Sequence, residues 1–242
     1  MIAHQRAIRD REAQRDPRPT VPLDGCTVES VSRAEATEII LRYEWLGTVP
    51  NNAQAFYGLR SPDGDLLGVS IFGPTPGTAS RDVCGKANAK ITIGLLRGAC
   101  VHYAHPHAGS FLTARACQLA ASDHGWRIFV AYQDTRAGEV GTIYQACNWL
   151  YIGATGRGGS GYRTRYKAPD GEWWTSRRFR ALCKREAQAW QHYAALGWTK
   201  GREPDKGKYV HIEGSRLERK RLLKLLRYPV LPYPKRPLTL PI

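Results

Sequence analysis

Apolar and polar positions show no period over residues 1–22, where Arg, Asp, Gln and Pro alternate, so this stretch is expected to be a flexible tail. The first regular pattern is a short strand over Cys26 to Val31. Ser32 follows with Glu35 three residues on, a capping box predicting a helix through Ile39, Ile40 and Tyr43 that ends at Gly47. Apolar runs at 54–60 and 65–73 flank Ser61-Pro62-Asp63-Gly64 and predict a hairpin. From Gly73 to Lys90 the breakers Pro74, Pro76 and Gly77 mark a long loop.

The stretch that follows joins two periods by one turn. An apolar run around Ala99 to Tyr103 predicts a strand, and Leu112, Ala116, Leu119 and Ala120 fall at helical spacing. Between them runs His105-Pro106-His107-Ala108-Gly109-Ser110, where Pro106 excludes a continuing ladder and Gly109 permits close backbone approach. A helix opening there offers unpaired N–H groups and a positive dipole end to an anion such as a pyrophosphate. An ordinary connection with Ser110 as N-cap uses the same residues.

Arg127 to Gln133 is an apolar run of buried-strand type that ends at Asp134. Ligands in open α/β sheets gather beyond the carboxyl ends of strands, so Asp134 and the His102–Ser110 segment are expected to share one crevice. Gly138 to Leu150 predicts a helix with Ile143, Cys147 and Leu150 inward and Tyr144 and Asn148 on a neighbouring face; Tyr151-Ile152-Gly153 begins a strand. Tyr162 to Lys167 alternates aromatic and cationic residues, a period of two that puts rings on one face of a strand and charges on the other. A long helix over 176–196, a strand over 208–212, a helix over 216–227 and a Pro-rich end complete the pattern.

Charge changes the picture most. Residues 1–156 hold 15 Lys+Arg against 14 Asp+Glu, whereas residues 157–242 hold 21 against 7, so nearly all of the net +15 lies in the last third. That block reads as a polyanion-binding surface, a solubilising surface being the blander account. Its candidate contacts are Arg163, Arg165, Lys167, Arg177, Arg178, Lys220 and Lys224, with Trp45, Trp149, Trp173 and Trp174 as stacking partners or core. The six cysteines include no pair at the two-residue separation of zinc or redox sites, which suits free thiols in a reducing compartment. No apolar run is long enough to span a membrane, and a cytoplasmic protein is expected.

The order strand, helix, hairpin, strand, turn, helix, strand, helix, strand resembles the GCN5-related N-acetyltransferases over residues 23–167. The segments YEWLGT (43–48), RGACVHYAHPHAGS (97–110), GTIYQACNWLYIG (141–153) and KYVHIEGSRLERKRLLKLLRYPVLPYPKR (208–236) resemble the bacteriophage Mom family more narrowly. The resemblance implies an α/β (α+β) fold with a mixed, mostly antiparallel sheet flanked by helices: an acetyltransferase-like catalytic domain over 23–167 and a basic helical extension over 168–242 that contacts DNA. It implies transfer of a methylcarbamoyl group to adenine N6 of double-stranded phage DNA in the host cytoplasm, shielding that DNA from restriction. A general CoA-dependent acyltransferase acting on a small amine or tRNA, or a catalytically silent DNA-binding protein, are the alternatives.

By that resemblance the turn residues His105, His107, Ala108, Gly109 and Ser110, with Asn148, hold acetyl-CoA or a related donor, and Tyr144 protonates the departing thiolate. Asp134 and Glu44 are candidate bases, Glu44 otherwise being a solvated helix-end carboxylate. Arg97 and Ser110 are candidate orienting groups, and Tyr57 joins the catalytic set. His102 with Asp134 is a candidate iron site, against ordinary cleft histidines. The oligomeric state is left open, a homodimer included.

Overall fold

The computed structural model describes residues 4–155, 162–182 and 189–235. The chain divides into a larger unit, Met1–Gly153 with Gly207–Ile242, and a smaller unit, Ala154–Lys206. The division therefore falls at 153 and 206, not at 167. Strand and helix from the C-terminal third return to the larger unit because their apolar faces complete its sheet.

In the larger unit the expected tail is a helix, α1 (His4–Arg15). It has no apolar stripe, and polar contacts hold it instead. Glu12 is buried, and its carboxylate takes Arg42 Nε at 2.8 Å and Arg15 Nη1 at 3.3 Å. Gln5 donates to the Tyr43 carbonyl, and Arg9 donates to the carbonyls of His102 and Ala104. Strand β1 (Thr27–Ser30) leads to α2 (Arg33–Tyr43), which opens on the predicted Ser32–Glu35 capping box and ends at Glu44, before Gly47. The hairpin is β2 (Ala55–Arg60) and β3 (Leu66–Gly73). Within the expected loop lie a one-turn helix, α3 (Ala79–Asp82), and a 3-10 turn over Lys86–Ile91.

Strand β4 (Thr92–Cys100) begins earlier than its apolar run suggests, and α4 (Ala108–His124) follows the turn. Then come β5 (Ile128–Gln133), a short α5 (Thr142–Ala146) and β6 (Leu150–Ala154). The expected helix over Gly138–Leu150 is five residues long because Gly138 and Gly141 take positive φ of 73° and 71° before it. Asn148, at φ 56°, turns the chain out after it.

The smaller unit holds β7 (Tyr162–Lys167), β8 (Trp173–Thr175), α6 (Ser176–Leu182), α7 (Ala189–Ala195) and β9 (Thr199–Pro204). The helix expected over 176–196 is seen as α6 and α7, and residues 183–188 lie outside the described residues. The larger unit ends with β10 (Gly207–Ile212) and α8 (Arg216–Lys224), the latter opened by a second capping box, Ser215 with Glu218.

The seven-stranded sheet runs β1-β2-β3-β4-β5-β10-β6, mixed and mostly antiparallel as expected, with β4 and β5 parallel. Its main core joins Ile40 of α2 and Leu112 of α4 to Tyr57, Phe72, Phe129 and Tyr209 of the sheet. Alternate residues of β5 and β10, Ile128, Val130, Val210 and Ile212, meet Leu222 of α8 in a second cluster. The smaller unit has its own core of Ala168, Phe179 and Trp198, ringed by Tyr166, Trp174, Trp190 and Tyr193, under a three-stranded sheet ordered β8-β7-β9. No helix among the described residues is long and apolar enough to cross a membrane.

Candidate active site

Strands β4 and β5 pair only over Thr92–Gly94 with Ile128–Val130. Beyond that point β4 keeps β3 and β5 keeps β10, so the sheet opens between them. The chain segments leaving α2 and β5 carry the charged groups near this opening.

Glu44 is 8% exposed, and its Oε2 accepts N–H bonds from Leu46 at 2.8 Å and Gly47 at 3.1 Å. Arg97 Nε stands 3.8 Å from the same oxygen while donating to the Thr48 carbonyl at 2.9 Å. Burial lifts the Glu44 carboxyl above its ordinary value; Arg97 and the two N–H groups pull it down, and the Glu139 carboxylate pushes it up again. Glu44 is therefore a built-in, partly desolvated carboxylate. Glu139 follows β5 and accepts from Trp45 Nε1 at 3.1 Å and from the Asp134 N–H at 2.9 Å. One carboxylate thus ties the end of α2 to the end of β5. Asp134 is buried, and Ala137 N–H donates to its carbonyl.

Tyr144 on α5 packs against Trp149 and Tyr209, each with ring centroids 5.2 Å away. Its hydroxyl has no hydrogen-bond partner among the described residues. Burial, with Glu139, Tyr209 and Glu44 contributing, raises its pKa well above the tyrosine value, so at neutral pH it is a proton holder. Tyr209 anchors this helix: its hydroxyl donates to the Val140 carbonyl at 2.8 Å, and Gln145 Nε2 donates to the Tyr209 hydroxyl at 3.2 Å. A cleft of about 620 Å³ opens beside Gln145, lined also by Val140, Thr142 and Pro232–Lys235.

The turn into α4 differs from its expected form. His107, not Ser110, is the N-cap, with no side-chain cap bond. Ser110 Oγ donates to the His107 carbonyl at 3.0 Å. The Ala108 N–H is taken by the His105 carbonyl at 2.8 Å, and His105 Nδ1 accepts the His107 N–H at 3.1 Å. A Cβ at Gly109 would stand 3.2 Å from Ile143 Cδ1 of α5, closer than ordinary contact, so a side chain there would require Ile143 to shift. Asn148 is exposed and owes its place to the left-handed end of α5.

Two expected site residues belong elsewhere. Tyr57 is 1% exposed and its hydroxyl donates to Asp123 Oδ2 at 2.8 Å, which makes it a strut between β2 and α4. His102 spends both ring nitrogens, Nε2 on the Asp16 carbonyl at 2.6 Å and Nδ1 on the Tyr43 hydroxyl at 3.4 Å. No group of three or more His, Cys, Asp or Glu among the described residues is arranged to hold a metal ion, so the iron expected at His102 and Asp134 finds no support.

The basic candidates also sort by geometry. Lys167, Lys220 and Lys224 are exposed. Arg165 is buried and donates to the Trp173 carbonyl, and Arg178 is engaged by Glu172 and by the Trp174 ring at 3.6 Å. The side chains of Arg163 and Arg177 lie outside the described residues. Of the tryptophans, Trp149 is core, Trp174 packs on Trp198, Trp45 serves Glu139, and Trp173 is exposed. Sequence reasoning missed Glu139 and Tyr209; Glu139 was legible only as the one acid between Gly138 and Gly141.

The model of the Mom protein family matches residues 25–235, and the chain belongs to that family. No curated protein matches the chain in sequence. Solved structures similar to it include a spermidine N-acetyltransferase from Vibrio cholerae in complex with CoA and spermine (8% identity, 78% of this chain and 96% of that one, TM-score 0.42). A ribosomal-protein-S5-alanine acetyltransferase from Vibrio fischeri (8%, 78% and 93%, 0.40) and an IAA acetyltransferase from Bacillus cereus (11%, 78% and 99%, 0.39) are similar to the same degree.

Proposed function

We propose that this protein is a transferase that modifies DNA, carrying an acyl-type group from a thioester donor such as acetyl-CoA to the exocyclic N6 of adenine. The group expected from the family is methylcarbamoyl. The observation that carries the reading is the half-buried Tyr144, proton-bearing and without a hydrogen-bond partner among the described residues, close enough to Glu44 and Glu139 to feel both charges.

The chemistry demands two proton movements. Adenine N6 is a weak nucleophile because its lone pair is delocalised into the ring, so a base must take its proton as the N–C bond forms. A desolvated Glu44, its carboxyl raised by burial, suits that task. The C–S bond of the donor breaks, and Tyr144 delivers the proton that the thiolate needs. Arg97, beside Glu44, is positioned to steady the charge that develops. Acetyl-CoA itself would leave an acetyl group on N6, so a methylcarbamoyl product requires a thioester whose acyl part already carries the nitrogen when N6 attacks and the C–S bond breaks. The N6 group faces the major groove of duplex DNA, and an enclosed site reaches it by flipping the base out.

The reading is tested by restriction. Plasmid from cells expressing the wild-type protein should resist enzymes that cut at adenine-containing sites, and plasmid from cells expressing Tyr144→Phe should be cut. Full cleavage of both, with abundant soluble protein, would overturn it.

A further inference from the structure

In the three-stranded sheet of the smaller unit, β7 is central, and its residues alternate between two faces. On one face Tyr166 stacks on Phe179 with centroids 3.8 Å apart, and Lys200 Nζ lies 4.1 Å above the Trp190 ring. Helices α6 and α7 cover that side. The other face carries Arg165 and Lys167, with Trp173 opposite Lys167 and Gly201 opposite Arg165.

Among the described residues, no helix packs over this second face. Thr175, Thr199 and Lys167 are exposed, and Trp173, a residue type usually well buried, is 46% exposed. Its indole is not loose. A Cβ at Gly201 would stand 2.4 Å from Trp173 Cη2 and 2.6 Å from Cζ3, so the ring lies across β7 onto Gly201. Gly201 has no positive φ, so glycine serves here as the seat of the ring and not as a turn. Beneath the indole, Arg165 is 7% exposed and its Nη2 donates to the Trp173 carbonyl at 3.4 Å.

A fixed aromatic plate on such a sheet face, with cations beside and below it, matches what an unstacked nucleobase and its phosphate require. Charge complementarity selects a polyanion. Residues 154–206 contain 12 Lys+Arg and 5 Asp+Glu, a net +7; Glu172, next to Trp173, is held by Arg178 and Trp174, and Glu203 of β9 stands in register opposite Arg163 on this face. We propose that this face of β8-β7-β9 holds the DNA strand, with Trp173 as the platform for one unstacked base and Lys167 meeting the adjoining phosphate. This rests on the reading of the protein as one that acts on DNA, and it names where the strand is gripped.

The test is fluorescence anisotropy of the full chain with a labelled single-stranded oligodeoxynucleotide and with the same strand in perfect duplex. Trp173→Ala should weaken single-strand binding by about tenfold or more, with Trp173→Phe keeping most of it. Gly201→Val keeps the indole but takes its seat, and should weaken binding in the same direction. Lys167→Ala should lower the salt dependence by about one unit of slope or slightly less. Wild-type affinity in Trp173→Ala and Gly201→Val, or stronger binding of RNA of the same sequence, would overturn the proposal. Binding is read without turnover. Trp173-dependent binding by a protein that modifies no adenine sinks the reaction and leaves this surface standing; Trp173-independent binding by an active enzyme does the reverse.

Discussion

Two tyrosines of the larger unit should respond oppositely to loss of one oxygen. Tyr57 is buried, and its hydroxyl donates to an Asp123 carboxylate that is itself exposed. Tyr57→Phe removes a hydrogen bond to a charged acceptor, and water takes over at Asp123, so the loss belongs at the low end for such bonds, about 1.5 kcal/mol. For a chain of this size that lowers Tm by roughly 3–6 °C. Tyr144 has no hydrogen bond among the described residues to lose, so Tyr144→Phe should change stability by less than about 0.5 kcal/mol. Its cost falls on transfer, by roughly 10²-fold or more if the hydroxyl is the acid. Thermal unfolding and the yield of modified nucleoside, measured on both variants, separate the two roles. A Tyr57→Phe protein with unchanged Tm and no activity, or a fully active Tyr144→Phe protein, would refute the assignment.

Three further outcomes are expected. Because the folded Glu44 carboxyl binds its proton more tightly than the unfolded one, its contribution is greatest below the ordinary carboxylate value and is lost as pH rises through the raised one. Wild type should therefore lose stability relative to Glu44→Gln over that window, read by Tm against pH, while Glu44→Gln loses activity. Gly141→Ala forces a Cβ to 2.5 Å from the Tyr209 ring at φ +71°, and should cost about 2 kcal/mol or more in denaturant unfolding and disturb Tyr144 with it. Glu12, held below its ordinary value by Arg42, stabilises α1 above the ordinary carboxylate range and ceases to as pH falls through the lowered value. Hydrogen exchange over His4–Arg15 should accelerate in Glu12→Gln at neutral pH and, in wild type, only in acid.

The elements that announced themselves did so through local signals. The capping box at Ser32 and Glu35, the turn at Ser61–Gly64 and the apolar run into Asp134 each state their structure within a few residues, and each was found there. Helix α1 gave no such signal because its anchors, Glu12 to Arg42 and Arg9 to the His102 carbonyl, are polar and lie 30 and 93 residues away in sequence. The same limit hid Glu139, whose partners Trp45 and Asp134 come from two elements, and made Tyr57 look available when Asp123 claims it. In the smaller unit, alternation in β7 set Tyr166 apart from Arg165 and Lys167, but it did not tell which face α6 and α7 would cover. The described ring of that strand, Tyr166, turned inward, and the exposed ring came from β8.

Whether adenine in DNA is altered through Tyr144 is read most directly by mass spectrometry of deoxynucleosides from DNA of cells expressing wild type or Tyr144→Phe. The expected result is deoxyadenosine heavier by one methylcarbamoyl group in the first and unaltered deoxyadenosine in the second. Unaltered deoxyadenosine in both, with soluble and abundant protein, would contradict it.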